Sequence, residues 1–218
     1  MSLAIFDLDN TLLAGDSDHL WGEYLIEQGL VEGVSYKSEN DKFYQDYVNG
    51  SLDIEAFLHF SLQPLTQLPI SQLKALRQTF ITEKIDPIIL PAAKSLIDQH
   101  RAQGHSLLII TATNNFVTEP IAAKLNIPHL LATEAELGPD GYTGKFVGEA
   151  CFQEGKVINL SRWLESNPHD MKESWFYSDS FNDIPLLNKV SYPIAVDPDD
   201  RLRAHATLQK WKIISLRE

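Results

Sequence analysis

The chain is predicted to adopt an α/β fold: a mainly parallel sheet with helices on both faces, interrupted by an inserted helical subdomain. Three observations predict it. Short apolar runs bounded by turn or polar residues recur at 3–8, 106–112, 174–178, 192–196 and 211–215. Helix-like stretches alternate with them near 92–103, 115–125, 155–167, 182–189 and 199–209. Residues 14–86, directly after the first run, hold no strand-like run of comparable quality. Strands alternating with helices imply a parallel sheet buried on both faces. Right-handed crossovers then gather the strand C-termini along one edge, where ligands bind in open α/β sheets.

The elements follow in order. Residues 3–8 read as a buried strand ending in acids. The block 14–86 has helical patterning in LWGEYLIEQGL, YQDYVNG, IEAFLHFSL and ISQLKALRQTF, where apolar residues recur at three- and four-residue steps. Gly50-Ser51 and Pro64 to Pro69 punctuate it, and Pro87 and Pro91 mark the return to the sheet-bearing part. A block of this length exceeds a crossover helix and reads as an inserted cap, so the expected division is 1–13 with 87–218 as core and 14–86 as cap. His129–Gly148 contains PDGYTG, which suggests a turn between two short strands. The acidic pair Asp199-Asp200 reads as a helix start.

Chemistry-bearing residues fall at the strand ends. IFDLDNTL places Asp7 and Asp9 two apart. In a strand, residues i and i+2 share a side, so both carboxylates would converge on one point. Two like charges that close raise each other's pKa, and a fold tolerates this around a cation or for acid–base work. The plain alternative is an Asx-rich turn. LLIITATNN ends a second run in Thr111 and Thr113. Lys156 lies in QEGK, at the opening of an amphipathic stretch, and WFYSDSFND breaks a later run into Asp179, Ser180, Asn182 and Asp183.

This ordered set resembles the haloacid-dehalogenase superfamily of phosphohydrolases. DLDNT matches its first motif, ITAT its second, Lys156 its third and SDSFND its fourth, in the right order over most of the chain. The resemblance implies a Rossmann-like core. An insertion between the first two motifs is similar to that of the phosphoserine phosphatase subgroup.

The resemblance also implies roles. Asp7 is expected to attack phosphorus and form an aspartyl phosphate. Mg²⁺ is the expected cofactor, since it suits an all-oxygen site with a phosphate ligand. Its ligands would be Asp7, the Asp9 backbone carbonyl and Asp179, with Asp183 orienting water around it. Asp9 would protonate the leaving group and then activate water. Thr111, Ala112 and the backbone N–H groups that follow would hold phosphate oxygens. Lys156 would balance charge there, and Asn182 would contact the phosphoryl group. Local alternatives stand beside each role. Lys156 can be a solvated surface lysine, Thr111 and Asn182 helix caps, and Asp183 a first-turn acid.

The substrate is expected to be a small phosphorylated metabolite. Asp16 lies nine residues after Asp7, where phosphoserine phosphatases carry the glutamate that grips the substrate amine. The cap has one arginine, Arg77, near its far end, and the mid-cap segment expected to supply a carboxylate-binding arginine reads NGSLDIEAF. TATNN also departs from a Ser-Gly-Gly type turn. An amine-binding carboxylate without a carboxylate-binding arginine favours a cationic phosphomonoester lacking a carboxylate. The DSDHLW and TATN segments look like the histidinol-phosphatase-like branch, so histidinol phosphate leads, with phosphoserine second and phosphocholine or phosphoethanolamine also open. A phosphotransferase or mutase would use the same four motifs. A non-catalytic module is disfavoured because no motif position is lost.

Composition fits a soluble enzyme. With 218 residues, 44% hydrophobic and 22% charged, the chain is long enough for one substantial core plus an insertion. The net charge of −12 argues against nucleic acid or an anionic membrane surface as partner. Residues 14–86 carry 12 Asp+Glu against 5 Lys+Arg, which as a block reads as a solvated helical surface. MSLAIFDLD has no basic region, and no apolar run approaches spanning length, so the expected location is cytoplasmic. The single cysteine, Cys151, has no internal disulfide partner and reads as a small buried residue. The sequence carries no signal for oligomeric state.

Overall fold

Leu3–Phe6 (β1) is buried at every position, and the alternation of side chains across a strand explains why. Ala4 and Phe6 enter one apolar cluster, while Leu3 and Ile5 enter a second on the opposite face. Ser106–Asn114 (β2) divides likewise: Leu107 and Ile109 go to the first cluster, Leu108 and Ile110 to the second. The structure, a computed structural model, describes residues 2–217.

The sheet has seven strands in the order β4-β3-β2-β1-β5-β6-β7. The others are His129–Gly138 (β3), Gly141–Val147 (β4), Ser174–Ser178 (β5), Tyr192–Val196 (β6) and Lys212–Ile214 (β7). All neighbouring pairs are parallel except β3 with β4. The chain therefore leaves β1 to build one side through β2, then crosses back to build the other through β5. The point where strand order reverses lies at the C-terminal ends of β1, β2 and β5, where open α/β sheets form a crevice.

Helices Pro91–Ala102 (α5), Asn115–Lys124 (α6), Glu154–Ser166 (α7), Ile184–Leu187 (α8) and Asp200–Gln209 (α9) connect the strands. Asp199 caps α9, accepting from Leu202 N at 2.8 Å. Boundaries agree with the sequence reading within about two residues, apart from three differences. The first strand ends at Phe6 rather than residue 8, because the chain turns sharply through Asn10, whose φ is 58°. The expected turn in PDGYTG does join two strands, β3 and β4, but they run to 10 and 7 residues and extend the sheet as an antiparallel hairpin. The predicted helix 182–189 is a 3₁₀ turn at Phe181–Asp183 followed by one turn of α8.

Residues 14–90 are mostly helical: Ser17–Glu27 (α1), Gly33–Asn49 (α2), Ile54–Leu62 (α3) and Ile70–Phe80 (α4), followed by a π-helical turn at Ile81–Ile85 and a 3₁₀ turn at Asp86–Ile88. The segments entering and leaving this block are tied together. Ala14 N donates to Ile88 O at 2.8 Å and Leu90 N to Leu12 O at 3.2 Å. Apolar residues of α1, α3 and α4, among them Trp21, Tyr24, Leu58 and Phe80, join the same buried cluster as Phe6 and Ile109. The block is thus packed onto one face of the sheet. No helix among the described residues is long and apolar enough to cross a membrane.

Candidate active site

Asp7 follows β1 directly and still belongs to its ladder, since its N–H donates to Tyr177 O on β5 at 2.9 Å. Its carboxylate is almost fully buried. Lys156 Nζ donates to Asp7 Oδ1 at 2.8 Å and to Asp183 Oδ2 at 2.8 Å. Lys156 itself is 2% exposed, which rules out a solvated surface lysine. Its position depends on Gly155: a Cβ there would lie 1.9 Å from Ala150 O, so only glycine lets α7 start against that backbone. Burial opposes the charge on Lys156, but Asp183 and Asp7 outweigh it and hold its pKa above the ordinary lysine value.

Thr11 joins the first and fourth acid segments. Its hydroxyl lies 3.2 Å from Asp7 Oδ2 and 2.9 Å from Asp179 Oδ1, and it accepts from Asp179 N at 3.1 Å. Asp7 Oδ2 and Asp179 Oδ1 therefore flank the Thr11 hydroxyl. Asp183 faces the same centre from behind, held by Lys156 and by Ser178 Oγ at 2.7 Å. Asp183 precedes α8 without a side-chain cap bond, and Asn114 rather than Thr111 caps α6. The cap alternatives for Thr111 and Asn182 do not hold.

Asp9 is set by different contacts from Asp7. Its Oδ1 accepts from Ser17 N at 2.6 Å and its Oδ2 from Thr113 Oγ1 at 2.8 Å, with Thr111 Oγ1 at 3.5 Å. The i, i+2 strand argument for Asp7 and Asp9 is corrected here. The strand has already ended, and the turn through Asn10 and the start of α1 bring the two acids to one pocket. Burial pushes Asp7 up to about 7 against the pull of Lys156. Burial and the Asp16 charge push Asp9 up to about 7 against its Ser17 and Thr113 bonds. Burial and the Asp7 charge push Asp179 well above the usual carboxylate range.

Above these groups lies a pocket enclosing about 530 Å³ of free space, part of it open to solvent. From the sheet edge it is lined by Asp7, Asp9, Thr111, Ala112 and Thr113. From the helical block it is lined by Asp16, Asp18, His19, Asn40, Phe43, Tyr44, Tyr47, Leu52 and Phe57. No arginine or lysine is among these lining residues. Two of them, Leu52 and Phe57, come from the NGSLDIEAF segment. Arg77 lies elsewhere, over the Phe116 ring and donating to Phe116 O.

Asp16 lines the pocket and also caps α1, its Oδ1 accepting from Asp18 N at 3.0 Å and His19 N at 2.8 Å. Asn182 is not in the lining. Its Oδ1 accepts from Gln153 Nε2 at 3.0 Å and its Nδ2 donates to Tyr47 O at 3.2 Å, so it bridges the core to the end of α2. Beside it, Arg201 Nη1 donates to Asn49 O at 3.0 Å. Gly50 takes φ 74° here, where a Cβ would fall 2.3 Å from the Phe181 ring.

Thr11, Thr113, Ser17 and Ser178 received no role from the sequence. Thr113 was recoverable, because Thr111 and Thr113 stand at i and i+2 at the end of β2 and share a face.

The donor set fits a divalent metal. Asp7 and Asp179 offer hard carboxylate oxygens, the ligand type that Mg²⁺ takes. Four acids, Asp7, Asp9, Asp179 and Asp183, gather around one buried cation, Lys156, leaving negative charge in surplus. Among the described residues, the group of three whose ligand atoms all lie within 4.8 Å of one another is a separate one, His19, Glu23 and Asp41. There Lys37 Nζ already lies 3.5 Å from Glu23 and 3.1 Å from Asp41.

Comparison with known proteins places this geometry. The family model described as haloacid dehalogenase-like hydrolase matches residues 4–188. The chain is 41% identical to a histidinol-phosphatase of Neisseria meningitidis over 99% of both chains. It is 30% identical to phosphoserine phosphatase SerB1 of Mycobacterium tuberculosis, over 98% of this chain and 70% of that one. A crystal structure of a protein of unknown function from Bordetella pertussis superposes with TM-score 0.92 at 37% identity, covering 98% of each chain. A substrate-bound phosphoserine phosphatase shares the fold, with TM-score 0.74 at 18% identity over 100% of this chain and 94% of that one. The chain belongs to the haloacid dehalogenase-like hydrolase family and is an enzyme of its phosphatase class.

Proposed function

We propose that the protein is a Mg²⁺-dependent phosphatase that hydrolyses a small amine-bearing phosphomonoester lacking a carboxylate, histidinol phosphate, through an aspartyl phosphate on Asp7. The observation that carries the substrate reading is the pocket over Asp7. It is lined by Asp16 and Asp18 and by no arginine or lysine. Such a wall attracts an ammonium group and repels the carboxylate of phosphoserine. The 41% identity to a histidinol-phosphatase supports the same reading.

The residues suit the steps. Asp7 Oδ2 shares the Thr11 hydroxyl with Asp179, which leaves Oδ1 as the attacking oxygen, oriented by Lys156 at 2.8 Å. Asp7, Asp179 and the Asp9 carbonyl would hold Mg²⁺, with Asp183 behind them. Bound there, the metal would screen the phosphate charge and stabilise charge on the transferring group. Thr111 and the backbone near Ala112 would bind phosphate oxygens, while Asn182, outside the lining, would hold α2 over the core. As the P–O bond to the substrate breaks, Asp9 gives its proton to the leaving alkoxide. Asp9 then takes a proton from the water that attacks phosphorus and frees Asp7. A carboxyl pushed up to about 7 is suited to both directions near neutral pH. The helical block 14–86 would serve as the cap that closes the pocket.

The test is phosphate release from histidinol phosphate, phosphoserine, phosphoethanolamine and p-nitrophenyl phosphate, with Mg²⁺ or with a chelator. Histidinol phosphate is expected to give the highest kcat/KM with water as acceptor, and the chelator to abolish release. Preference for phosphoserine refutes the substrate reading. Phosphate that reaches a second hydroxyl compound rather than water refutes hydrolysis.

A further inference from the structure

The carboxylates of the pocket can be taken one by one. Asp7 is held by Lys156 and Thr11. Asp9 is held by Ser17 and Thr113, and Asp16 by the amides of Asp18 and His19. Asn40 Nδ2 donates to His19 O at 3.0 Å and lies 3.2 Å from His19 Nδ1. Among the carboxylates, Asp18 is the exception. It is 7% exposed, and its Oδ2 is buried without a hydrogen-bond partner among the described residues.

A buried carboxylate without a partner costs free energy, and a native fold that keeps one needs a reason. The first turn of a helix favours an acid, but the α1 amides that face backwards are already capped by Asp16. Burial and the charges of Asp16 and Asp9 raise the Asp18 pKa well above the usual carboxylate range. The same pocket is lined by four aromatic rings, Phe43, Tyr44, Tyr47 and Phe57. The pocket therefore offers two separate acids, with aromatic faces beside them.

We infer that Asp18 is a specificity-determining residue whose carboxylate accepts a hydrogen bond from a ring N–H of the substrate, an imidazole lodged among Phe43, Tyr44, Tyr47 and Phe57. The inference rests on the substrate reading above and adds a second point of recognition to it. Asp16 takes the amine, Asp18 takes the ring, and the phosphate lies at Asp7. A planar ring with a donor in its own plane fits a carboxylate between aromatic walls, whereas a second alkylammonium would leave those walls unused. Phosphomonoesters with the amine alone leave Asp18 without a partner.

The experiment compares kcat/KM for histidinol phosphate and phosphoethanolamine in the wild type, Asp18→Ala and Asp18→Asn. A charge-assisted hydrogen bond predicts that Asp18→Ala lowers the ratio of the two about ten- to a hundredfold, mostly through KM for histidinol phosphate. Asp18→Asn keeps an acceptor of the same shape and should lose less. The inhibition constant of histidinol, which carries amine and ring without phosphate, should rise in parallel. A folded Asp18→Ala protein with the wild-type ratio overturns the inference. If the alanine variant does not fold, an unchanged ratio and an unchanged histidinol inhibition constant in Asp18→Asn overturn it instead. A wild type that shows no preference for the imidazole-bearing substrate refutes the substrate reading, and this inference with it. A wild-type preference that survives both substitutions refutes only the role of Asp18.

Discussion

Replacing Lys156 with methionine keeps most of the buried stem and deletes the charge, and the structure sets the size of the effect. Lys156 Nζ lies 2.8 Å from Asp7 Oδ1 and 2.7 Å from Asp183 Oδ1, with the lysine and both acids nearly or fully buried. Removing one partner of a buried ion pair costs about 3–5 kcal/mol, because the other charge is left uncompensated. Here two carboxylates lose their cation, so the upper part of that range is expected at alkaline pH. The pH dependence follows from the sign of the shifts. Asp7 is already pushed up to about 7 with Lys156 present, and it rises further without it. A carboxyl raised in the folded state binds its proton more tightly there than when unfolded, so stability falls as pH rises from about 4 through the folded pKa. The raised pKa of Lys156 leaves its own contribution intact across that window. The gap between wild type and Lys156→Met should therefore be larger at pH 8 than at pH 5. Urea denaturation with a chelator present measures it. A gap below about 1 kcal/mol at pH 8, or one equal at both pH values, would show that Lys156 does not hold these charges.

Asp7→Asn should abolish phosphate release while circular dichroism stays unchanged, because it removes the nucleophile and keeps the shape; release near the wild-type rate would end the covalent mechanism. Activity should require Mg²⁺ and be inhibited by Ca²⁺, whose looser, higher coordination can draw in both Asp7 oxygens; activity that survives a chelator rejects the metal assignment. Asp16→Asn keeps an acceptor for the amides of Asp18 and His19, whereas Asp16→Ala also loses a helix cap worth about 1 kcal/mol. Both should raise KM for an amine-bearing substrate about ten- to a hundredfold relative to p-nitrophenyl phosphate, but only the alanine variant should lower the melting temperature. Equal losses on both substrates would leave Asp16 as a cap alone.

The strands were legible in the sequence because apolar runs and their polar ends are local, and alternation within β1 and β2 divides their residues between the two faces. The acids that end β1 and β5, and the threonine near the end of β2, were legible for the same reason. So was the helical block, whose three- and four-residue spacing is a property of the segment itself. Tertiary structure decided what those residues touch. Lys156 is a surface residue or the buried centre of the site according to whether α7 can start against Ala150, and that depends on Gly155. Thr11 joins Asp7 to Asp179 across 168 positions in the chain, a contact that exists only because β1 and β5 are neighbours. Asp9 takes its place from the turn at Asn10 and from Thr113, and strand alternation had suggested a simpler geometry. Asp18 reads in the sequence as one more acid on a solvated helix. It is the folding of the helical block over α1 that leaves it buried without a partner, because burial is set by what folds over a residue and spacing along the chain carries no record of that.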